Sequence, residues 1–156
     1  GPRMSTSNYH AALYARFAQS VPHVRELGIR ATAVVSEHVE TRLPYRDEWL
    51  GDTVRGYIHT GVITTLVDST SGLSVLARLG QYRPIATLDL RMDYLRPALR
   101  GQELICRSEC FRLTENIAFA RATVWQDDPA LVVAISQGAF MLSSRQRPRA
   151  AAGAAA

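Results

Sequence analysis

The chain has 156 residues, the length of one domain, and at that size a core buries about 68–70% of the unfolded surface without a disulfide or metal staple. Its 47% hydrophobic and 21% charged content are those of an ordinary soluble globule, and no apolar run nears the roughly 18 residues of a membrane span. The formal charge of +4 comes from arginine alone, yet Arg3, Arg145, Arg147 and Arg149 sit at the two ends, so the remainder is near neutral and neither a nucleic-acid nor a membrane partner is expected.

Gly1-Pro2-Arg3 before Met4 reads as an expression scar and is set apart from the domain, which is placed at residues 4–143. Tyr9, Ala12, Leu13, Ala15, Arg16 and Phe17 recur at helical spacing and predict a helix over residues 8–20, ended by Val21-Pro22. Residues 27–35 and 37–43 read as two extended segments, the second alternating through Val39, Thr41 and Leu43. Residues 44–56 form a polar loop with Asp47, Glu48, Gly51, Asp52 and Gly56.

One long helix is predicted from Thr60 to Leu79. Val62, Ile63, Leu66, Val67, Leu73, Leu76 and Leu79 supply its apolar stripe, and Gly80 ends it. Its other positions are mostly small, including Gly61, Thr64, Thr65, Ser69, Gly72 and Ser74. Several are poor helix formers, so packing on most sides must stabilise it.

After Gly80 the period changes to two. In residues 85–95, Ala86, Leu88, Leu90, Met92 and Tyr94 are assigned to one face and Thr87, Asp89, Arg91 and Asp93 to the other. Residues 96–101 are a turn. Residues 102–113, 116–126 and 131–142 are three further strands, joined by links short enough for antiparallel hairpins. Ala134, Ser136 and Gly138 share a face of the last strand, where a crossing helix has room to approach. Residues 144–156 carry no core-forming pattern and are expected to be disordered. One sheet must therefore wrap one long helix.

Cys106 and Cys110 are the only cysteines. Four apart on one strand, they share a face but lie too far apart for a disulfide. They read as reduced packing thiols, and with no secretory signal the expected location is the cytoplasm.

The chemistry concentrates at His59-Thr60-Gly61 and at Asp68, nine residues after the histidine and two turns into the long helix. A carboxylate among buried residues is costly unless a partner satisfies it or it does chemistry. The bland alternative is a hydrogen bond to Thr64 or Thr65, one turn back. For His59 the alternatives are a structural ring bonded to a loop carbonyl and a direct role at substrate. A lone histidine is a poor metal site, so no metal and no cofactor are expected.

The stretches Gly56-Tyr57-Ile58-His59-Thr60-Gly61-Val62, Leu66-Val67-Asp68-Ser69, Ala86-Thr87-Leu88-Asp89-Leu90 and Asp93-Tyr94-Leu95-Arg96-Pro97-Ala98, with Gly101 and Gly138, carry a resemblance. In their joint order and spacing they resemble the hotdog fold, and within it the PaaI-type acyl-CoA thioesterases, over about residues 21–142. The resemblance implies an α+β fold, an antiparallel sheet wrapped around one central helix. It implies that Asp68 activates water or attacks the thioester carbonyl. It implies that the N–H groups of Thr60 and Gly61 hold the carbonyl oxygen, as a helix N-terminus is suited to do, and that Thr87 completes the site.

Two positions depart from the family pattern. Thr60 stands where a glycine is usual, and Thr53, beside Asp52, stands where many relatives carry asparagine. Thr53 and Ser69 are candidate substrate contacts, as are Arg96 and Arg100 for the phosphates of coenzyme A; solvated loop and strand residues are the alternative for Thr53, Thr87, Arg96 and Arg100. The resemblance further implies a homodimer as the minimum active unit, with Asp68 of one subunit facing the helix start of the other, and assembly to a homotetramer. The expected substrate is an acyl-CoA. A non-catalytic acyl-CoA-binding protein and a hotdog dehydratase or hydratase are the competing readings.

Overall fold

The structure, a computed structural model, describes residues 5–20 and 22–144. The scar and nearly all of the expected tail lie outside the described residues. Helix α1 (Thr6–Ser20) buries Leu13 and Phe17. A second helix, α2 (Pro22–Leu27), follows at once, where the sequence reading had extended chain beginning at Leu27. Proline is well placed in a first helical turn, and Gly28, at φ +78°, turns the chain out into the sheet.

Strands β1 (Arg30–Val34) and β2 (Val39–Leu43) pair antiparallel. The polar loop of the sequence reading holds more structure than expected. It contains a 3-10 turn at Asp47–Trp49 and the short strand β3 (Leu50–Asp52), which pairs with β4 (Tyr57–Ile58). That small hairpin delivers the chain to the start of helix α3 (Thr60–Leu79), whose bounds agree with the sequence reading and whose C-terminus is closed by Gly80 at φ +70°.

The remaining strands are β5 (Ile85–Tyr94), β6 (Leu104–Leu113), β7 (Ile117–Trp125) and β8 (Ala134–Leu142). The six-stranded antiparallel sheet runs β1-β2-β6-β7-β8-β5, so β5 is an edge. The sheet curls around α3, the architecture of a hotdog fold. Leu66 and Val67 of the helix are fully buried in one cluster with Val39, Leu43, Cys106 and Val124, and Val75 in a second with Ala118, Ala120 and Phe140. Buried hydroxyls bridge helix and sheet. Thr41 and Thr70 bond across at 2.7 Å, and Ser74 and Ser108 at 3.2 Å. Cys106 and Cys110 are both free and buried, and burial pushes the Cys106 thiol up to about 12.

Two expectations about faces are corrected. The register of β5 against β8 slips between Thr87 and Asp89, so Leu88 is a bulge residue and the faces exchange there. Thr87 therefore points to the helix side, not outward with Asp89, Arg91 and Asp93. The second correction concerns Gly138. A Cβ there would meet the Asp89 carbonyl and the Leu90 side chain of β5, each at 3.0 Å. The close approach is to the neighbouring bulged strand rather than to the helix.

Candidate functional site

The N-terminal tip of α3 is built by its own cap. His59 has extended dihedrals (φ −61°, ψ 132°), and its Nδ1 accepts the Gly61 N–H at 2.9 Å. Its backbone N–H donates to the Trp49 carbonyl at 2.7 Å, which fixes the tip to the 3-10 turn before β3. The imidazole thus serves as a helix cap, in place of the loop-carbonyl contact considered from sequence, with Nε2 carrying the proton. The cap occupies the Gly61 N–H. Thr60, the first helical residue, keeps an N–H that the helix itself cannot satisfy. His59, Thr60 and Gly61 are all exposed.

Asp68 lies two turns on, half-buried. Its Oδ1 accepts the Thr87 hydroxyl at 2.8 Å. Thr64 and Thr65 instead donate back to the carbonyls of Thr60 and Gly61, at 3.2 and 2.9 Å. The one-turn-back alternative for Asp68 is therefore not the arrangement adopted. Without the bulge at Leu88, Thr87 would face away from the carboxylate.

The sequence-predicted residues fall into separate groups. Asp68, Ser69 and Thr87 line one cleft of about 560 Å³, with Leu13, Phe17, Gly72 and Leu76. Asp68 and Thr87 also border a smaller depression beside Thr64, Thr65 and Leu90. The helix tip forms a second group with the loop before it. There Arg100 Nη2 donates to the Thr53 carbonyl at 2.9 Å, and the guanidinium packs on Gly56, where a Cβ would come within 2.5 Å of Nε. The Thr53 side chain itself is exposed. Arg96 stands apart from both, its Nε donating to the Val132 carbonyl at 3.1 Å.

The two groups do not meet within one chain. Thr60 and Asp68 are eight residues apart on one helix, a rise of roughly 12 Å. A residue overlooked in the sequence joins the tip. The Tyr94 hydroxyl lies 2.7 Å from Thr64 Oγ1 and donates to the Thr60 carbonyl at 3.3 Å. Its assignment to the apolar face of β5 was the available signal. Among the described residues, no three of His, Cys, Asp and Glu come together as metal ligands would, and no helix is long and apolar enough to cross a membrane.

Comparison with known proteins agrees with this fold. Residues 55–133 match the thioesterase superfamily. The medium/long-chain acyl-CoA thioesterase YigI of Escherichia coli K12 is 26% identical over 139 residues, covering 81% of this chain and 88% of that protein. A Pseudomonas aeruginosa protein of known structure superposes with a TM-score of 0.75 at 36% identity, over 85% of this chain and 98% of that one. The E. coli PaaI protein superposes with a TM-score of 0.79 at 13% identity, over 90% and 97%, a likeness of fold.

Proposed function

The chain belongs to the thioesterase superfamily, and on that premise we propose that it hydrolyses an acyl-CoA thioester to the free acid and coenzyme A, with Asp68 as general base or nucleophile. The observation that carries this reading is the Asp68 carboxylate, held by the Thr87 hydroxyl at 2.8 Å and open to a cleft. A carboxylate so held has one oxygen oriented and the other free to take a proton from water or to attack a carbonyl. The relation to YigI supports acyl-CoA as the substrate class.

The acid and the helix tip must converge on one thioester, and a rise of roughly 12 Å along α3 separates them within a chain. A second copy resolves this. β5 is a sheet edge ten residues long that itself exposes Leu88 and Tyr94, and long open edges invite pairing. Two copies joined there about a two-fold axis form an isologous dimer, with Asp68 of each facing the partner's helix tip. The Thr60 N–H is the open donor to the developing oxyanion. Gly61 N–H becomes the second donor when the His59 ring turns away. The coenzyme A thiolate leaves readily, so no strong acid is needed. Arg96, Arg100, Thr53 and Ser69 are the proposed substrate contacts, and a homotetramer in the cytoplasm is the proposed form.

The test is thiol release from acyl-CoA esters ranging from acetyl to palmitoyl, plus aromatic esters, by wild type and Asp68→Asn. Asn keeps the size and an acceptor for Thr87, so the fold is expected to stand while turnover falls by about 10²–10⁴. Wild-type rates in Asp68→Asn would exclude the mechanism. Binding without thiol release in the wild type would favour a non-catalytic acyl-CoA-binding protein.

A further inference from the structure

Asp68 borders two depressions. The smaller is bordered by Thr64, Thr65 and Thr87 and lies toward the helix tip. The larger, about 560 Å³, leads the other way, between α3 and α1. Gly72 and Leu76 on α3, Leu13 and Phe17 on α1, and Ile85 at the start of β5 give it an apolar stretch, while Ser69 and Arg83 also reach its wall. At its far end Arg16 lies over the Tyr82 ring, 4.8 Å from the centroid.

The wall made by α1 is fixed in place. The Tyr9 hydroxyl donates to the Leu76 carbonyl at 2.6 Å, and His10 Nε2 lies 2.9 Å from the Ala77 carbonyl. Gly72 keeps the cleft open midway. Glycine is a poor choice inside a helix, but a Cβ here would stand 3.3 Å from Ile85 Cδ1. Any longer side chain would project across the passage.

Resting on the reading of Asp68 as the hydrolytic acid, we propose that this cleft takes the acyl tail, and that Gly72, with the α1 wall at Phe17, sets the length accepted. The occupant follows from continuity. The apolar stretch of the passage begins beside the carboxylate that must meet the thioester carbonyl. From Asp68 to Leu76 the helix rises roughly 12 Å. An extended hydrocarbon advances roughly 1.3 Å per carbon, given C–C bonds near 1.5 Å, so the cleft accommodates a straight tail of about eight to ten carbons. The substrate class is a medium-chain, unbranched acyl thioester.

The experiment compares kcat/KM for butanoyl-, hexanoyl-, decanoyl- and palmitoyl-CoA in wild type, Gly72→Met and Phe17→Leu. A second measurement titrates each protein with the decyl and butyl thioethers of coenzyme A, which cannot be hydrolysed. The wild type is expected to peak near decanoyl. Gly72→Met should lose decanoyl activity by about tenfold or more while butanoyl activity stays, since a single misfitted methylene is worth about that much. Phe17→Leu should move the peak toward palmitoyl. An unchanged chain-length profile in both variants overturns the proposal. If the wild type releases no thiol from any ester, the hydrolytic reading fails on its own, and the thioethers decide the cleft. Decyl binding lost in Gly72→Met supports it, and equal decyl binding in both, or none in the wild type, overturns it.

Discussion

If the acid and the helix tip act across a two-fold axis, two differently damaged subunits must repair each other. Thr60→Pro removes one N–H and little else. Thr60 is the first helical residue, where proline is favoured because that N–H has no helical acceptor. The preceding residue must be extended for proline to follow, and His59 already is, at φ −61° and ψ 132°. The His59 cap on Gly61 is left in place. Loss of one oxyanion donor costs about 10²–10³ in kcat, or roughly 2.7–4 kcal/mol of transition-state stabilisation, while KM moves little. Asp68→Asn in a second preparation removes the acid. Each variant alone has two broken sites per dimer. In a mixed dimer, Asp68 of the Thr60→Pro subunit faces the intact tip of the Asp68→Asn subunit, so one site in two is whole. Random exchange of equal amounts makes half the dimers mixed, and activity should recover to about a quarter of wild type in an isologous dimer. The assay is thiol release before and after exchange, with mixing followed by native mass spectrometry. Full exchange without recovery would show that both groups act within one subunit, against the rise along α3. Wild-type turnover by Thr60→Pro would remove the Thr60 N–H from the mechanism.

Thr87→Val keeps the shape of the β5 side chain but leaves the Asp68 carboxylate without its 2.8 Å donor. A hydrogen bond to a charged group is worth about 1.5–3 kcal/mol; kcat should fall by roughly tenfold or more, and Thr87→Ser should recover most of it, read from steady-state kinetics of the three proteins. The buried Cys106 thiol, pushed up to about 12, and Cys110, also raised chiefly by burial, should resist alkylation. At about pH 8 the Cys106 thiolate fraction is about one part in ten thousand. Both should label only as urea unfolds the chain, measured by mass spectrometry; fast labelling of the native protein would contradict the packing of β6 on α3. Burial likewise raises the Tyr9 hydroxyl from 10.0 to about 12. A group raised on folding stabilises fully below its unfolded value, so this contribution holds below about pH 10 and is lost as the pH climbs toward 12. Tyr9→Phe should cost about 1 kcal/mol at neutral pH and show a shallower alkaline decline in urea titrations at the two ends of that range.

What the sequence disclosed follows the reach of its signals. The bounds of α3 were legible because an apolar stripe at helical spacing ends on Gly80 and begins after a histidine. The role of that histidine was not. Caps are usually Ser, Thr, Asp or Asn, so the sequence presents the ring as a substrate group or a loop tether, and only the folded tip shows its hold on the Gly61 N–H. Helix α2 escaped because six residues give too short a window for periodicity. The β3–β4 hairpin, three residues against two, escaped for the same reason. The bulge at Leu88 leaves no mark in the sequence pattern. Alternation of apolar residues from Ala86 to Tyr94 looks unbroken in the sequence, yet the ladder slips one place. A slip of one residue turns every later side chain over, and here that slip brings Thr87 to the acid while keeping Leu90 and Met92 packed against the core. A regular strand would force a choice between the two. The irregularity is therefore the means by which one edge strand serves both packing and the site, and a pattern read with a fixed period of two has no way to register it.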